Sequence, residues 1–201
     1  MRIISGQWKG RTIEPPADCG IRPTTDRARE ALFNILDHRL VYQWTDIDVL
    51  DLFGGSGAVS LEFLSRGVKS VTTIEKNPKI IRYLKELQQK WNADHWHIHQ
   101  ADALAFLQNE SQVYDVIFAD PPYNLYNKSE IVSLAFTREL VHPEGWFILE
   151  HAQAERFDAL PHFFDLRIYS ASAFSFFRNL DDALPDQLPA DAPADPHLPQ
   201  D

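Results

Sequence analysis

A chain of 201 residues with 44% hydrophobic content and one cysteine suits a single α/β domain with a sizeable core, and excludes an intramolecular disulfide. A formal charge of −10 speaks against a polyanionic partner until the charge is located: residues 181–201 hold six Asp and no Lys or Arg, which leaves −4 for residues 1–180. No apolar run approaches the ~20 residues that span a bilayer, and no apolar signal segment follows Arg2, so an unsecreted cytoplasmic protein with no membrane association is expected.

Residues 1–29 carry Arg2, Lys9, Arg11, Arg22, Arg27 and Arg29 against Glu14, Asp18 and Asp26. A basic arm over 1–25 is expected. It suits contact with phosphates and equally suits a solvated surface. Cys19 sits beside the Pro15-Pro16-Ala17-Asp18 turn with no motif around it, and makes a poor nucleophile candidate. Thr24-Thr25-Asp26 opens a helix whose apolar face is Ala28, Leu32, Ile35 and Leu36.

Asp48 to Phe53 then reads as a buried strand, and Gly54-Gly55-Ser56-Gly57 follows it into a helix over Ala58 to Arg66, capped by Gly67. Strand, glycine turn and helix together present backbone N–H groups to a ligand. This is not the dinucleotide fingerprint, because Ser60 stands where close helix packing favours a third glycine. The next strand, Ser70 to Ile74, ends on Glu75, an acid placed to accept hydrogen bonds from both hydroxyls of a ribose. Asn77-Pro78 starts a helix with an apolar stripe at Ile80, Leu84, Leu87 and Trp91, which reads as core. Asp102 follows the His95 to Gln100 strand and suits an adenine amino group. Taken singly, Glu75 and Asp102 are also ordinary loop acids; in series with the glycine loop they describe an adenosine site. His95, His97 and His99 alternate on one strand face, a pattern read as a polar outer surface, with no metal expected.

The run Val116 to Ala119 ends in Asp120-Pro121-Pro122-Tyr123. Neither proline can donate to a sheet ladder, so the strand stops there, at the edge where open α/β sheets keep their ligand crevice. The Asp120 carboxylate and the Pro121 carbonyl are two acceptors for the hydrogens of an exocyclic amine, and Tyr123 is a stacking face. The same tetrapeptide also fits a strand-to-loop turn with a capping Asp. Beyond it, Gly145 to Glu150 reads as a fifth strand, with His142 and His151 structural, and Leu166 to Ser170 plus Phe174 to Phe177 as a closing hairpin. Buried strands alternating with helices imply an open, mostly parallel sheet covered on both faces. The domain is expected over 26–180. The remainder, 181–201, is an acidic, proline-rich tail without periodicity, expected to be disordered.

Asp51-Leu-Phe-Gly-Gly-Ser-Gly57, Glu75, Asp102 and Asp120-Pro-Pro-Tyr123 resemble the S-adenosylmethionine-dependent methyltransferases of exocyclic amines. Met1 to Arg11, followed by Arg22 to Leu36, is similar to the bacterial 16S rRNA guanine-N2 methyltransferases of the RsmD family, and the likeness extends to about Phe177. The tetrapeptide alone fits adenine-N6, cytosine-N4 or glutamine-amide methylation as well; the N-terminal segment is what points to ribosomal guanine. One departure is Ser170 after Tyr169, where family members often have glycine. The resemblance implies a seven-stranded, Rossmann-like class I methyltransferase sheet whose last hairpin inserts an antiparallel strand. It implies S-adenosylmethionine held by Asp51, Phe53, Gly54, Gly55, Ser56, Gly57, Glu75, Asp102 and Asp120. Catalysis would fall to Asp120, Pro121, Pro122 and Tyr123, and RNA contacts to Lys9, Arg11, Arg22, Thr24 and Tyr123. The implied partner is ribosomal RNA, within the small subunit or an assembly intermediate. Adenine-N6 methylation of DNA and glutamine-amide methylation of protein are the alternatives.

Overall fold

The computed structural model describes residues 1–16, 26–169 and 172–179. Cys19, Arg22, Thr24, Ser170 and the 181–201 tail lie outside the described residues. The elements are α1 (Asp26–Arg39), β1 (Asp48–Asp51), α2 (Ala58–Ser65), β2 (Ser70–Glu75), α3 (Pro78–Trp91), β3 (Trp96–Gln100), α4 (Ala103–Asn109), β4 (Tyr114–Ala119), α5 (Lys128–Thr137), β5 (Val141–Ala152), β6 (Phe163–Tyr169) and β7 (Ser172–Phe177).

The seven strands form one sheet in the order β3-β2-β1-β4-β5-β7-β6. The first five run parallel, and β7 lies antiparallel between β5 and β6, as the resemblance implies. Val49, Leu50, Val116, Ile117, Phe147 and Ile148 are all fully buried, because a parallel sheet clad on both faces leaves its central strands no wet side. One apolar cluster joins α1, α2 and α3 to the sheet; a second joins α4 and α5 to the other face.

Several local signals act as expected. Asn77 caps α3 by accepting from the Lys79 N–H at 2.9 Å, with Pro78 at the first helical position. Gly67 ends α2 at φ 86°, in the left-handed region. Other boundaries differ. Strand β1 ends at Asp51 rather than Phe53, because the Asp51 carboxylate takes the Phe53 N–H and turns the chain. Strand β5 begins at Val141 rather than Gly145; its register with β4 shifts between Tyr114 and Val116, which loops out the residues around Pro143, a residue with no N–H to give. On α1 the buried residues are Ala28, Arg29, Leu32, Phe33 and Leu36, whereas Ile35 is half-buried.

The N-terminal segment is no detached arm. Residues 1–13 fold back as a hairpin, with Ile3 N–H on the Arg11 carbonyl and Ile13 N–H on that of Met1, both at 2.9 Å. Ile3, Trp8 and Ile13 are buried in the α1–α3 core. Glu62 of α2 is wholly buried, and its carboxylate accepts the Ile4 and Ser5 N–H groups at 2.7 and 3.0 Å. Arg29 is also wholly buried, bonded to Asp26 and to the Arg2 carbonyl, so this arginine braces the hairpin and is withdrawn from the basic surface.

Candidate active site

In the strand order β3-β2-β1-β4 the carboxyl ends bring Asp102, Glu75, the glycine loop and Asp120 side by side along one edge. The order reverses between β1 and β4, and the crevice of an open α/β sheet lies outside such a switch point. The glycine loop stands on one side of it and Asp120-Pro121-Pro122-Tyr123 on the other.

Gly54 is required by close approach: a Cβ there would stand 2.6 Å from the Thr73 methyl and 2.9 Å from Leu84 Cδ1. Gly57 caps α2 at φ 75°, a left-handed conformation that costs an L side chain strain. Glu75 holds this loop in shape, its carboxylate accepting the Gly55 N–H at 3.2 Å and the Asn77 N–H at 2.8 Å. Each carboxylate oxygen has a second lone pair, so these bonds leave acceptor capacity for a ribose. The side chain is half-buried at the edge. Phe53 is half-buried beside the loop, and Ser56 Oγ accepts the Ala58 N–H at 3.3 Å, bracing the first turn of α2. Asp102 is exposed and caps α4, with Oδ1 accepting the Leu104 and Ala105 N–H groups at 3.1 and 3.4 Å.

Asp51 lies beneath the loop rather than in its wall, only 1% exposed. Its Oδ2 accepts the Ser60 hydroxyl at 2.5 Å, and its Oδ1 the Phe53 N–H at 3.4 Å. Ser60 also meets Thr73 Oγ1 at 2.7 Å, and Thr73 Oγ1 accepts the Trp96 indole N–H at 2.7 Å. Thr73 must then donate to Ser60, and a directed chain runs from Trp96 through Thr73 and Ser60 to the carboxylate. This explains the serine in place of the third glycine: it joins α2, β2 and β3 under the glycine loop. Burial raises the Asp51 pKa from 3.8 to about 7, against the lowering effect of Ser60 and the Phe53 N–H; the nearby Glu75 charge pushes it the same way as burial.

Across the crevice Asp120 is half-buried, Pro121 buried, Pro122 exposed and Tyr123 42% exposed. Two neighbours were not legible in the sequence. Lys128, at the start of α5, is 2% exposed, and its Nζ donates to Glu155 at 2.6 and 2.8 Å and to the Tyr123 carbonyl at 3.2 Å. The same ammonium sits 5.8 Å from the Tyr123 ring centroid. Glu155 in turn accepts the Ala152 N–H at 3.0 Å, so the loops after β4 and β5 are tied together behind the aromatic face. Sequence offered no signal for this pair, since a lysine in a polar loop reads as solvated. Tyr126, on the same loop, is fully exposed. His151 is buried, its Nε2 2.8 Å from Ser175 Oγ; burial holds its pKa down, which marks it as a neutral packing residue.

Lys9 and Arg11 project from the N-terminal hairpin, both exposed, with the Arg11 guanidinium 5.3 Å from the Trp91 ring centroid. Arg22 and Thr24 fall outside the described residues. His97 and His99 lie on the edge strand β3, both exposed, and no cluster of three or more metal-ligating side chains occurs among the described residues.

A family model described as "Conserved hypothetical protein 95" matches residues 1–177. The chain is 34% identical over 164 residues to the ribosomal RNA small subunit methyltransferase D of Escherichia coli K12, covering 80% of this chain and 78% of that protein. It is 34% identical over 155 residues to the enzyme of the same name from Haemophilus influenzae, covering 75% and 78%. Among solved structures, the Escherichia coli protein yhhF superposes with a TM-score of 0.78 at 30% identity, covering 88% of this chain and 96% of that one. A hypothetical protein of Thermus thermophilus gives 0.76 at 28%, covering 89% and 99%. Sheet order, glycine loop and these relatives agree: the chain has the class I methyltransferase fold and belongs to the family of conserved hypothetical protein 95, that of the ribosomal RNA small subunit methyltransferase D proteins.

Proposed function

We propose that this protein transfers a methyl group from S-adenosylmethionine to the exocyclic N2 amine of a guanine in 16S rRNA, within the small ribosomal subunit or its assembly intermediate. The observation that carries the reading is the pairing, across one switch point, of a glycine loop backed by Glu75 with the acceptor and aromatic set Asp120-Pro121-Pro122-Tyr123. The backbone of Gly55 to Gly57 and the Glu75 carboxylate suit a nucleoside with a polar tail. Phe53 and Ser56 line the same loop, Asp51 supports it from below, and Asp102 and Asp120 flank it. When bound, the cofactor supplies an electrophilic methyl group on a sulfonium.

The chain's own residues act on the acceptor. The N2 lone pair of guanine is delocalised into the ring, so the ground-state amine is a poor nucleophile. Hydrogen bonds from its two hydrogens to Asp120 and to the Pro121 carbonyl favour a pyramidal nitrogen with a localised lone pair. The two prolines hold that carbonyl in place, and Tyr123 stacks on the ring and sets the angle of attack. The Lys128–Glu155 pair keeps the Tyr123 backbone from drifting. Asp120 orients and stabilises charge rather than deprotonating early, because a carboxylate is far too weak a base to take a proton from the neutral amine, whereas the alkylated amine loses one readily. A stacked base cannot reach the crevice, so the target lies in an accessible loop or is flipped out, and Lys9 and Arg11 meet the backbone around it.

The test is transfer of labelled methyl from S-adenosylmethionine to separate RNA, DNA and protein fractions, followed by mass analysis of 16S rRNA nucleosides with and without the protein. Label in N2-methylguanosine is expected. Label confined to DNA or to protein would overturn the reading in favour of an adenine or glutamine acceptor.

A further inference from the structure

Helix α3 carries a charge pattern that folding does not explain. Its buried stripe, Ile80, Ile81, Tyr83, Leu84, Leu87 and Trp91, faces the sheet. On its outer surface Lys79, Arg82, Lys85 and Lys90 are exposed, preceded by exposed Lys76 and interrupted by Glu86 alone among acids. At 100° per residue the four helical cations fall within a sector of roughly 140°. Five of the chain's 19 Lys and Arg thus lie within residues 76–90, whereas no Lys or Arg occurs from Trp91 to Asn127, the stretch that includes α4. Positive charge is thus concentrated on the outer surface of α3 and missing from β3 and α4.

This arrangement costs helix stability. Lys79, Arg82 and Lys85 are spaced three apart, where like charges repel, and Lys76 and Lys79 oppose the helix dipole at its positive end. A surface built only for solubility would alternate signs to form pairs four residues apart. Among the described residues Lys76, Arg82, Lys85 and Lys90 make no ion pair.

The strip is also continuous with the N-terminal hairpin. Trp8 packs edge-on against Trp91 with centroids 5.3 Å apart, and Arg11 lies over the Trp91 ring, so Lys9 and Arg11 extend the line past Lys90. A groove of about 650 Å³ runs between them, lined in part by Arg11, Lys90 and His95. At its other end α3 begins at Pro78, three residues after Glu75, beside the crevice. From Lys79 to Lys90 the helix rises about 16 Å, long enough to follow several successive phosphates.

We propose that the outer face of α3, extended by Lys9 and Arg11, is a track for the RNA phosphodiester backbone that leads to the methyltransferase crevice; this rests on RNA being the substrate. Charge complementarity to the strand gives affinity and salt dependence without sequence readout, which is what a lysine-rich ridge supplies. Steering by a local strip also resolves how a chain of net charge −10 approaches a polyanion.

The experiment compares the wild type with the Arg82→Glu/Lys85→Glu double variant and with Arg138→Glu, a charge reversal on the far side of the sheet. Binding to deproteinised 16S rRNA is titrated over salt, alongside cofactor affinity and steady-state methylation. The double variant should bind RNA at least roughly 10-fold more weakly, with a salt slope smaller by about one to two, close to one for each phosphate no longer engaged. Its KM for RNA should rise while kcat at saturating RNA and cofactor affinity stay put; Arg138→Glu should match the wild type. An unchanged slope and KM in the double variant, with the wild type methylating rRNA, would overturn the track and leave the functional reading intact. A wild type that binds RNA yet methylates only DNA or protein would sink the functional reading and, with it, the track; one that methylates 16S rRNA within the subunit but binds no deproteinised RNA would sink the track alone.

Discussion

Asp51→Asn tests the buried support of the glycine loop through its proton. The Asp51 carboxyl is 1% exposed and its pKa is raised from 3.8 to about 7, chiefly by burial. An acid with a raised folded-state pKa binds its proton more tightly in the fold, so its contribution to stability is best below the unfolded pKa. It falls as pH rises from about 4 to about 7, where the native carboxyl finally ionises. A shift of about three units corresponds to about 4 kcal/mol lost at pH 8 relative to a neutral residue of the same shape, against about 2 kcal/mol at pH 5. Asn mimics the protonated acid and is blind to pH. The stability difference, Asn variant minus wild type, should therefore grow by about 2–3 kcal/mol between pH 5 and pH 8. The constant cost of rearranging the Ser60 hydroxyl only offsets both ends equally. Urea titrations at fixed ionic strength measure it, and other titrating groups such as His151 cancel in the difference. If the two proteins' stabilities ran parallel across that range, Asp51 would not be the group that takes up the proton, and the chain from Trp96 through Thr73 and Ser60 would end on a carboxylate that keeps its charge throughout.

Glu75→Ala should weaken S-adenosylmethionine binding by about 1–3 kcal/mol, since it removes a ribose acceptor and frees the Gly55 and Asn77 N–H groups together; calorimetry showing equal affinity would remove Glu75 from the site. Asp120→Ala should slow single-turnover methyl transfer by roughly 10²-fold with cofactor affinity little changed, and a near-normal rate would return Asp120 to a turn-capping role. Tyr123→Ala should raise the KM for RNA and slow transfer, with Tyr123→Phe mild because stacking needs the ring and not the hydroxyl; equal effects of the two would assign the hydroxyl instead. Lys128→Met should destabilise by about 2 kcal/mol, below the roughly 3–5 typical of breaking a fully buried pair because Glu155 is 34% exposed. The added Glu155→Gln change should recover part of that loss, and thermal melts showing no recovery would dissolve the pair as a unit.

Elements with a local cause were legible in the chain itself. Asn77-Pro78 set the start of α3, Gly67 the end of α2, and the two prolines after Asp120 the end of β4, because capping and missing donors act within a few residues. That the glycine loop, Glu75 and Asp120 stand at the carboxyl ends of their strands was readable as well, since each follows a short apolar run that ends there. What depended on the tertiary structure was partnership across long separations. Ser60 looked like a lapsed glycine until Asp51, Thr73 and Trp96 met around it. Arg29 counted as surface charge until the Arg2 carbonyl closed over it, and Lys128 carried no signal until Glu155, 27 residues on, reached its ammonium. The N-terminal hairpin was an arm in sequence because nothing local says that Glu62, 58 residues from Ile4, will bind its backbone. Residue type and spacing determine which groups can bond; burial, which only the packed sheet creates, decides which of them must.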